Sequence, residues 1–287
     1  MISLPDTRLA VFGPGLLGGS LLLAARTLGV RELRVWARRP ESLTEVKDKN
    51  LADFAACDPV EVAAGADVLV LCVPVGGMKT LAQQLAASKP APDAVFTDVG
   101  SVKGMVMREV APVLNAAGLA FIGSHPMAGS EKTGLPAARA DLYCNAPCIL
   151  TPAADTPPRA LERLHSFWRA FGCRTSEMDA ATHDAVVARI SHVPHVAAVL
   201  AALTAFRPDP AAAKFAAGGL RDTTRVASGD PAMWREILME NREALLPALH
   251  DLRNSATEVI SALETGDGAL LQARLEEARH LRATRYA

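Results

Sequence analysis

The chain has 287 residues, which suits two domains, and half of its residues are hydrophobic, enough to form a core in each. Its formal net charge of -1 gives no sign of affinity for nucleic acid or a membrane surface, so a bound anion must be held by local cations. Five scattered cysteines form no C-x-x-C pair and no metal-spaced cluster, which indicates a reduced, cytoplasmic protein without a metal site.

Two apolar segments resemble export or membrane signals only superficially. Residues 9–25 are uncharged, but glycine and proline interrupt them repeatedly, which makes a poor membrane helix. Residues 196–206 are apolar over only eleven positions, which is too short for a span and predicts a buried helix segment. The sequence therefore predicts no membrane segment.

The first 178 residues alternate short apolar or β-branched runs with helical patterns. Strands are expected at residues 8–12, 33–37, 68–73, 94–97, 120–122, 148–151 and 174–178. Amphipathic helices are expected at residues 16–28, 79–87, 102–116 and 159–171. This alternation predicts an α/β domain with a doubly wound, mostly parallel sheet, which the last strand closes.

From residue 179 the strand-like runs disappear, and alanine- and leucine-rich helical periodicity continues to the C-terminus. Breaks fall at residues 207–210, 218–219 and 228–231. In the last break, Asp230 as N-cap and Pro231 at the first helical position predict a helix start. The chain is thus expected to divide into an α/β domain, residues 1–178, and an all-α domain, residues 179–287. The apolar character of the second domain favours a homodimer formed through it.

A glycine-rich turn follows the first predicted strand. The run LAVFGPGLLGGS places Gly13, Gly15 and Gly18 in G-x-G-x-x-G spacing between a strand and a helix, as a dinucleotide-binding turn requires. The first glycine permits the tight turn, the second lets backbone amides approach a pyrophosphate, and the third lets helix and strand pack closely. The helix N-terminus then offers N–H groups to the anion. The first domain is therefore predicted to be a Rossmann-type dinucleotide-binding domain.

The end of the second predicted strand bears on the cofactor. An NAD-preferring site usually carries Asp or Glu about 20 residues beyond the glycines, to bond the ribose 2′-hydroxyl. Here Ala37 is followed by Arg38 and Arg39, and either arginine can bind a 2′-phosphate through charge-assisted hydrogen bonds. NADP is therefore predicted as the preferred cofactor and NAD as the alternative. Two solvated loop arginines without a ligand are the other interpretation.

Four further segments stand where such a fold carries its chemistry. They read DVGSVK at 98–103, GSHPMAGSEKTG at 123–134, RISHVPH at 189–195 and GGLRDTTR at 218–225, the last followed by AMWRE at 232–236. Together with the glycine turn they resemble the prephenate/arogenate dehydrogenase family, up to about Asn241, and HPMAGSE is the most specific part. The resemblance implies oxidative decarboxylation of prephenate to 4-hydroxyphenylpyruvate, or of its amino analogue arogenate, on the route to tyrosine. Because the chain ends at Ala287 without an appended regulatory domain, tyrosine is expected to inhibit at the active site or not at all.

The resemblance also implies roles for individual side chains. His125 is expected to take the proton of the ring hydroxyl as hydride leaves the same carbon, with Ser101 hydrogen-bonded to both and a pH limb near the ordinary pKa of histidine. Substrate contacts are expected from His195, Arg225, Ser130, Glu131, Asp222 and Trp234. Arg225 is the expected partner of the ring carboxylate. Cofactor contacts beyond the glycines and the two arginines are expected from Leu16, Leu17, Val73, Pro74 and Lys103.

The chemistry of the substrate agrees with these residue types. Prephenate carries two carboxylates, so its pocket needs cations, and Arg offers a bidentate fork to one of them. Histidine titrates near neutrality, which suits a general base acting on an alcohol. Aromatisation makes the loss of carbon dioxide downhill, so neither a metal ion nor a covalent intermediate is expected.

Each candidate also has a purely structural interpretation. His125 could be a hydrogen-bonded loop histidine. His192 and His195 lie three positions apart on one helix face, and His192 is expected to be structural. Arg225 follows Asp222 by three positions and could form a surface ion pair with it.

Two other functions compete with the first. A β-hydroxyacid dehydrogenase-like enzyme should carry a Lys-x-x-x-Asn pair, where residues 191–195 read SHVPH. A non-catalytic NADP-binding sensor should have lost Ser101 or His125, and both are present. Val193 and Thr223 stand where the family more often has Leu and an aromatic residue, which puts the pocket shape in doubt.

Overall fold

A parallel sheet forms the first part of the computed structural model, which describes residues 3–285. The six strands are β1 (Arg8–Phe12), β2 (Glu32–Trp36), β3 (Phe54–Ala56), β4 (Val68–Leu71), β5 (Val95–Asp98) and β6 (Ala120–Phe121). They are ordered β3-β2-β1-β4-β5-β6, and every neighbouring pair is parallel. The helices around them are α1 (Leu16–Thr27), α2 (Pro40–Asp48), α3 (Pro59–Ala63), α4 (Val75–Leu85), α5 (Lys103–Glu109) and α6 (Ala111–Ala116). The predicted Rossmann-type fold is confirmed.

The central strands β1 and β4 explain where a ligand can enter. Both are almost entirely buried, as expected for strands covered by helices on both faces of a parallel sheet. The strand order reverses between them, since β2 lies on one side of β1 and β4 on the other. The turn after β1 and the loops after β4 and β5 therefore open into one crevice at the carboxyl edge of the sheet.

A second sheet corrects the sequence prediction. It contains β7 (Gly123–Pro126), β8 (Pro147–Thr151) and β9 (Arg174–Glu177), with β7 antiparallel and β9 parallel to β8. Helix α7 (Pro158–Ala170) joins β8 to β9. The predicted strands near 148–151 and 174–178 exist, but the prediction that they extend the main sheet is wrong. The edge strand β7 of this second sheet was not predicted, because its sequence, Gly-Ser-His-Pro, has low β-propensity.

The rest of the described chain is helical. Its helices are α8 (Ala180–Val187), α9 (Val193–Phe206), α10 (Gly218–Thr224), α11 (Pro231–Glu240), α12 (Arg242–Thr265) and α13 (Gly268–Arg285). A π-helical segment, Ala188–His192, joins α8 to α9, and short 3₁₀ segments flank α10. The Asp230 side chain accepts a hydrogen bond from the Met233 N–H at 2.8 Å, which confirms the predicted start of α11. The expected helix at Tyr286 and Ala287 lies outside the described residues.

The run from α8 to α9 corrects a second expectation. Ala180–Phe206 is continuous over 27 residues, with a mean hydropathy of 1.6 over its most apolar window, and by length and composition alone it could cross a membrane. Within residues 196–206 only Ala198 is buried, so these residues do not form the short buried segment that the sequence predicts. Leu200 and Leu203 are 51% and 41% exposed on it. The same run also carries polar side chains, including His183, that bond to the first domain.

Candidate active site

A cavity of about 610 Å³ lies between the crevice of the parallel sheet and the helical domain. The turn after β1, the loops after β4 and β5, β7 with the loop beyond it, and the helical domain all contribute walls. The sequence-predicted residues that line it are Gly15, Leu16, Leu17, Val73, Pro74, Ser101, His125, Ser130, Glu131, Arg225 and Trp234. The predicted residues outside its lining are Gly13, Gly18, Arg38, Arg39, Lys103, His195 and Asp222. The structure thus brings together side chains from segments far apart in the sequence.

The glycine turn has the geometry that a dinucleotide requires. Gly13 has φ +109°, a left-handed conformation, and a Cβ there would lie 2.9 Å from the carbonyl oxygen of Cys72. A Cβ on Gly18 would lie 2.1 Å from the carbonyl oxygen of Gly13, so α1 packs against the turn only because this residue is glycine. Around Gly15, the N-cap of α1, a Cβ would meet nothing within 4 Å. That open space beside the helix N-terminus fits a pyrophosphate.

Arg38 and Arg39 lie in the short loop after β2. Both are exposed, while Ala37 before them is buried. Within residues 3–285 neither guanidinium forms a hydrogen bond or an ion pair with another side chain. Their charges are therefore free for an anion at the end of β2, where a dinucleotide fold places the ribose.

His125 lies on β7 and joins a chain of hydrogen bonds that the sequence does not predict. Its Nδ1 lies 2.8 Å from Nε2 of His183, and His183 Nδ1 lies 2.8 Å from Oδ1 of Asp184. Both of these partners belong to α8. The expected hydrogen bond from Ser101 to His125 is absent among the described residues: His183 occupies Nδ1, and Ser101 lines the same cavity without bonding the ring.

The burial of His125 changes its acid–base behaviour. Desolvation lowers the pKa of His125 well below its usual value, and the nearby His183, Lys103 and His192 lower it further. The expectation of an ordinary histidine pKa is therefore wrong. The ring is neutral at physiological pH, so it is in the form that can accept a proton.

Lys103 is not at the surface of the cavity. Its side chain is fully buried and forms an ion pair with Asp98, and its ammonium also donates to the Ser124 carbonyl oxygen at 2.8 Å. Asp98 in turn accepts from the Ser124 N–H at 3.1 Å. The predicted contact with a cofactor is therefore not found, because this buried pair ties the end of β5 to β7, next to His125.

His192 and His195 do not lie where the sequence predicts: His192 lines the cavity, and His195 does not. His195 is buried behind Trp234, and the two rings stack at 3.5 Å with an interplanar angle of 9°. His192, expected to be structural, lines the cavity. Its Nδ1 lies 3.0 Å from the amide nitrogen of Asn241, which must donate, and its buried Nε2 has no partner among the described residues. Trp234 therefore separates His195 from the cavity, and His192 presents an unused N–H donor.

Arg225 closes one side of the cavity mouth. Its Nη1 lies 3.0 Å from Oε2 of Glu131, so the pair joins the loop after β7 to the helical domain. Sixty per cent of the Arg225 side chain is exposed. Asp222 is exposed and makes no bond to Arg225, so the alternative of an Asp222–Arg225 surface pair is wrong. Arg225 therefore places a positive charge at the entrance. Its ion pair with Glu131 is solvated, so a substrate carboxylate can replace Glu131 as the partner.

Comparison with known proteins covers both parts of the chain. Residues 30–177 match the family described as the nucleotide-binding domain of prephenate dehydrogenase, and residues 179–277 match its dimerization domain. The cyclohexadienyl dehydrogenase of Zymomonas mobilis is 34% identical over 282 residues, covering 96% of this chain and 94% of that protein.

Solved structures show the same likeness. A prephenate dehydrogenase from A. aeolicus, in complex with hydroxyphenyl propionate and NAD+, superposes with a TM-score of 0.89 at 29% identity over 99% of both chains. The Synechocystis arogenate dehydrogenase superposes with a TM-score of 0.80 at 28% identity, over 97% of this chain and 99% of that one. The likeness extends through both domains and therefore includes the walls of the cavity on both sides.

Proposed function

The chain belongs to the prephenate dehydrogenase family, and from that membership we propose which of its side chains carry out the reaction. The enzyme is a nicotinamide-dependent oxidoreductase that decarboxylates prephenate to 4-hydroxyphenylpyruvate in tyrosine biosynthesis. The β-hydroxyacid dehydrogenase and sensor interpretations are therefore set aside. Residue roles, cofactor preference and assembly are proposed from the geometry of the cavity and from the distribution of exposed side chains.

His125 is the general base of this proposal. One observation carries it: His125 lines the cavity with Nδ1 engaged by His183, which leaves Nε2 for the substrate hydroxyl. Its lowered pKa keeps the ring neutral, so it can take the hydroxyl proton as the ring carbon loses hydride. The dinucleotide, when bound, supplies the hydride acceptor. Ser101, on the loop after β5 in the same cavity, orients the hydroxyl.

The carboxylates of the substrate are assigned to the helical wall and the mouth. Arg225 binds the ring carboxylate by giving up its solvated contact with Glu131. His192 also lines this wall, and its buried Nε2 has no protein partner among the described residues. Ser130 and Glu131 border the entrance, and the Trp234 ring forms an apolar wall that His195 supports from behind. Asp222 lies outside the cavity lining, so we assign it no direct contact with the substrate.

NADP is the cofactor that the loop after β2 favours. It offers two exposed arginines without protein partners among residues 3–285 and no carboxylate to repel a 2′-phosphate. The dinucleotide backbone is assigned to Gly13, Gly15 and Gly18, to the α1 residues Leu16 and Leu17, and to Val73 and Pro74 after β4. Lys103 is assigned instead to the support of β7.

The assembly is inferred from the distribution of apolar surface. We assign dinucleotide binding to residues 1–178, and substrate binding and dimerisation to residues 179–287. Leu200, Leu246, Ile260 and Leu263 of the helical domain are all more than half exposed, and a homodimer would cover such surface. All five cysteines are free thiols, which supports a cytoplasmic location. Neither a membrane nor a nucleic acid is needed as a partner.

Steady-state kinetics test this proposal directly. Prephenate and arogenate are each offered with NADP and with NAD, and formation of the reduced cofactor is followed by its absorbance. The proposal expects turnover of prephenate, with NADP giving the higher kcat/KM. Absence of turnover with all four combinations would contradict the assigned reaction, whereas a strong preference for NAD would contradict only the role assigned to Arg38 and Arg39.

A further inference from the structure

We infer that His183 and Asp184 are positioning residues that fix the ring tautomer of His125, so that the helical domain prepares the base carried by the first domain. This inference rests on the proposed role of His125. It assigns a purpose to two buried polar residues that lie outside the cavity lining. The directions of the hydrogen bonds in this chain follow from Asp184, because a carboxylate can only accept them.

Asp184 is surrounded by donors. Its Oδ1 accepts from the Lys103 N–H and its Oδ2 from the Gly104 N–H, each at 2.8 Å, at the start of α5. An ionised carboxylate only accepts hydrogen bonds, so the Nδ1 of His183, 2.8 Å from Oδ1, must carry a proton. The bond therefore runs from His183 to Asp184.

That direction determines the next bond. A neutral imidazole with its proton on Nδ1 has a lone pair on Nε2, so His183 Nε2 accepts from His125 Nδ1 across 2.8 Å. His125 then has its proton on Nδ1 and an unprotonated Nε2. Without His183, the His125 ring could place its proton on Nε2 and would cease to be a base there.

The same chain stabilises the product of proton transfer. When the substrate O–H bond breaks and a new N–H bond forms at His125 Nε2, the positive charge of the imidazolium faces His183, which the Asp184 carboxylate polarises. No proton needs to move beyond His125. An orienting carboxylate behind a catalytic histidine acts in this way in hydrolase triads, where the wrong tautomer lowers kcat on the order of 10⁴-fold.

The chain of bonds also connects the two domains. His183 and Asp184 belong to α8, whereas His125 and the Lys103 and Gly104 N–H groups belong to the first domain. Asn241 braces α8 from the other side, because its amide nitrogen donates to the Asp184 carbonyl oxygen at 3.0 Å. The base is therefore in its reactive tautomer only where α8 is docked on the first domain.

Replacement of His183 by Phe tests the inference, since it keeps a ring of similar size and removes the acceptor. The expected result is a fall in kcat of roughly 10–10³-fold, with the KM for prephenate and the dissociation constant for NADP changed less than about threefold. His183→Gln should recover part of the lost turnover, because an amide oxygen near the position of Nε2 can accept from His125. His165→Phe is the control, as it removes another buried histidine, one bonded to Thr175 and Glu177 away from the cavity, and should leave kcat unchanged.

Nitrogen NMR of the histidine rings provides a readout that a merely structural role would not change. With labelled histidine, the signals of His125 are identified by their loss in His125→Asn. The native protein should show His125 protonated at Nδ1 and bare at Nε2, and His183→Phe should show protonation at Nε2. A native His125 already protonated at Nε2, or a His183→Phe enzyme within about threefold of native kcat, would overturn the inference.

Two further outcomes are separable. If His183→Phe fails to fold while His165→Phe folds, the native ring spectrum and His183→Gln decide the matter alone. If the native enzyme turns over neither prephenate nor arogenate, the proposed function fails. The ring spectrum still shows whether His183 holds the tautomer of His125, so failure of the function and failure of the inference are distinguishable.

Discussion

Three histidines around the cavity, His125, His192 and His195, differ in pKa and in hydrogen-bond partners because their surroundings differ. His125 is kept neutral chiefly by desolvation, with the buried Lys103 nearby, and it is held through Nδ1. Burial lowers the pKa of His192 to about 4, so this ring is a neutral donor at any physiological pH. His195 is committed to the face of Trp234. Of these three rings, only His125 combines access to the cavity with a free ring nitrogen that can accept a proton.

The pH dependence of turnover depends on the lowered pKa of His125. A base must be unprotonated, and a pKa held well below 6.5 keeps it so at lower pH than usual. We expect kcat/KM for prephenate to stay level as the pH falls from about 8 towards 6 and to decline only below the ordinary histidine range. The measurement is a pH–rate profile at saturating NADP. A decline centred at or above pH 6.5 would show that His125 titrates normally.

Arg225 supports a second prediction at this scale. Arg225→Lys replaces a bidentate fork by a point charge, so the KM for prephenate should rise more than kcat falls. The expected loss in kcat/KM is on the order of 1.5–3 kcal/mol, typical of a charged hydrogen bond. The control is Arg189→Lys, which alters an exposed pair with Asp251 in the same domain and should not change KM. An unchanged KM in a folded Arg225→Lys enzyme would leave this arginine as a surface partner of Glu131.

At the scale of elements, prediction from the sequence succeeded where the determinants are local. The turn between β1 and α1 was predictable because strand, glycines and helix are contiguous, and the Asp230 cap of α11 for the same reason. The helix predicted at 102–116 divides at Val110, before Pro112, which has no N–H to continue it. The separate sheet around β8 and the bond from His125 to His183 were not predictable, since both join residues more than 20 positions apart without a shared motif.

The loop after β2 supports a prediction about cofactor choice. Replacing Arg38 and Arg39 together by Ala should raise the KM for NADP several-fold and leave that for NAD nearly unchanged, because only NADP has the 2′-phosphate that they can bind. The matched control is Lys47→Ala with Lys49→Ala, which removes two exposed cations at the far end of α2. Equal effects on both cofactors, or a native preference of about tenfold for NAD, would contradict the role of this loop.

At the scale of the whole molecule, the cavity exists only because the two domains meet. The first domain contributes the glycine turn, Ser101 and His125, and the helical domain contributes His192, Arg225 and Trp234. The contacts that join them include two polar ones, from Arg225 to Glu131 at the mouth and from His125 to His183 in the interior. The exposed apolar side chains lie mainly on the helical domain, which matches the family's dimerization domain. Docking of the two domains therefore forms the cavity in which the proposed base lies.

The turnover of His125→Asn tests the central claim most directly. Asn keeps a hydrogen-bonding group towards His183 and deletes the base, so kcat should fall by roughly 10²–10⁴. NADP binding should change little, because the dinucleotide phosphates are assigned to the glycine turn and the start of α1 rather than to this ring. His250→Asn, an exposed histidine on α12, is the control and should retain native turnover. A folded His125→Asn enzyme with more than about a third of native kcat would contradict the claim that His125 is the base.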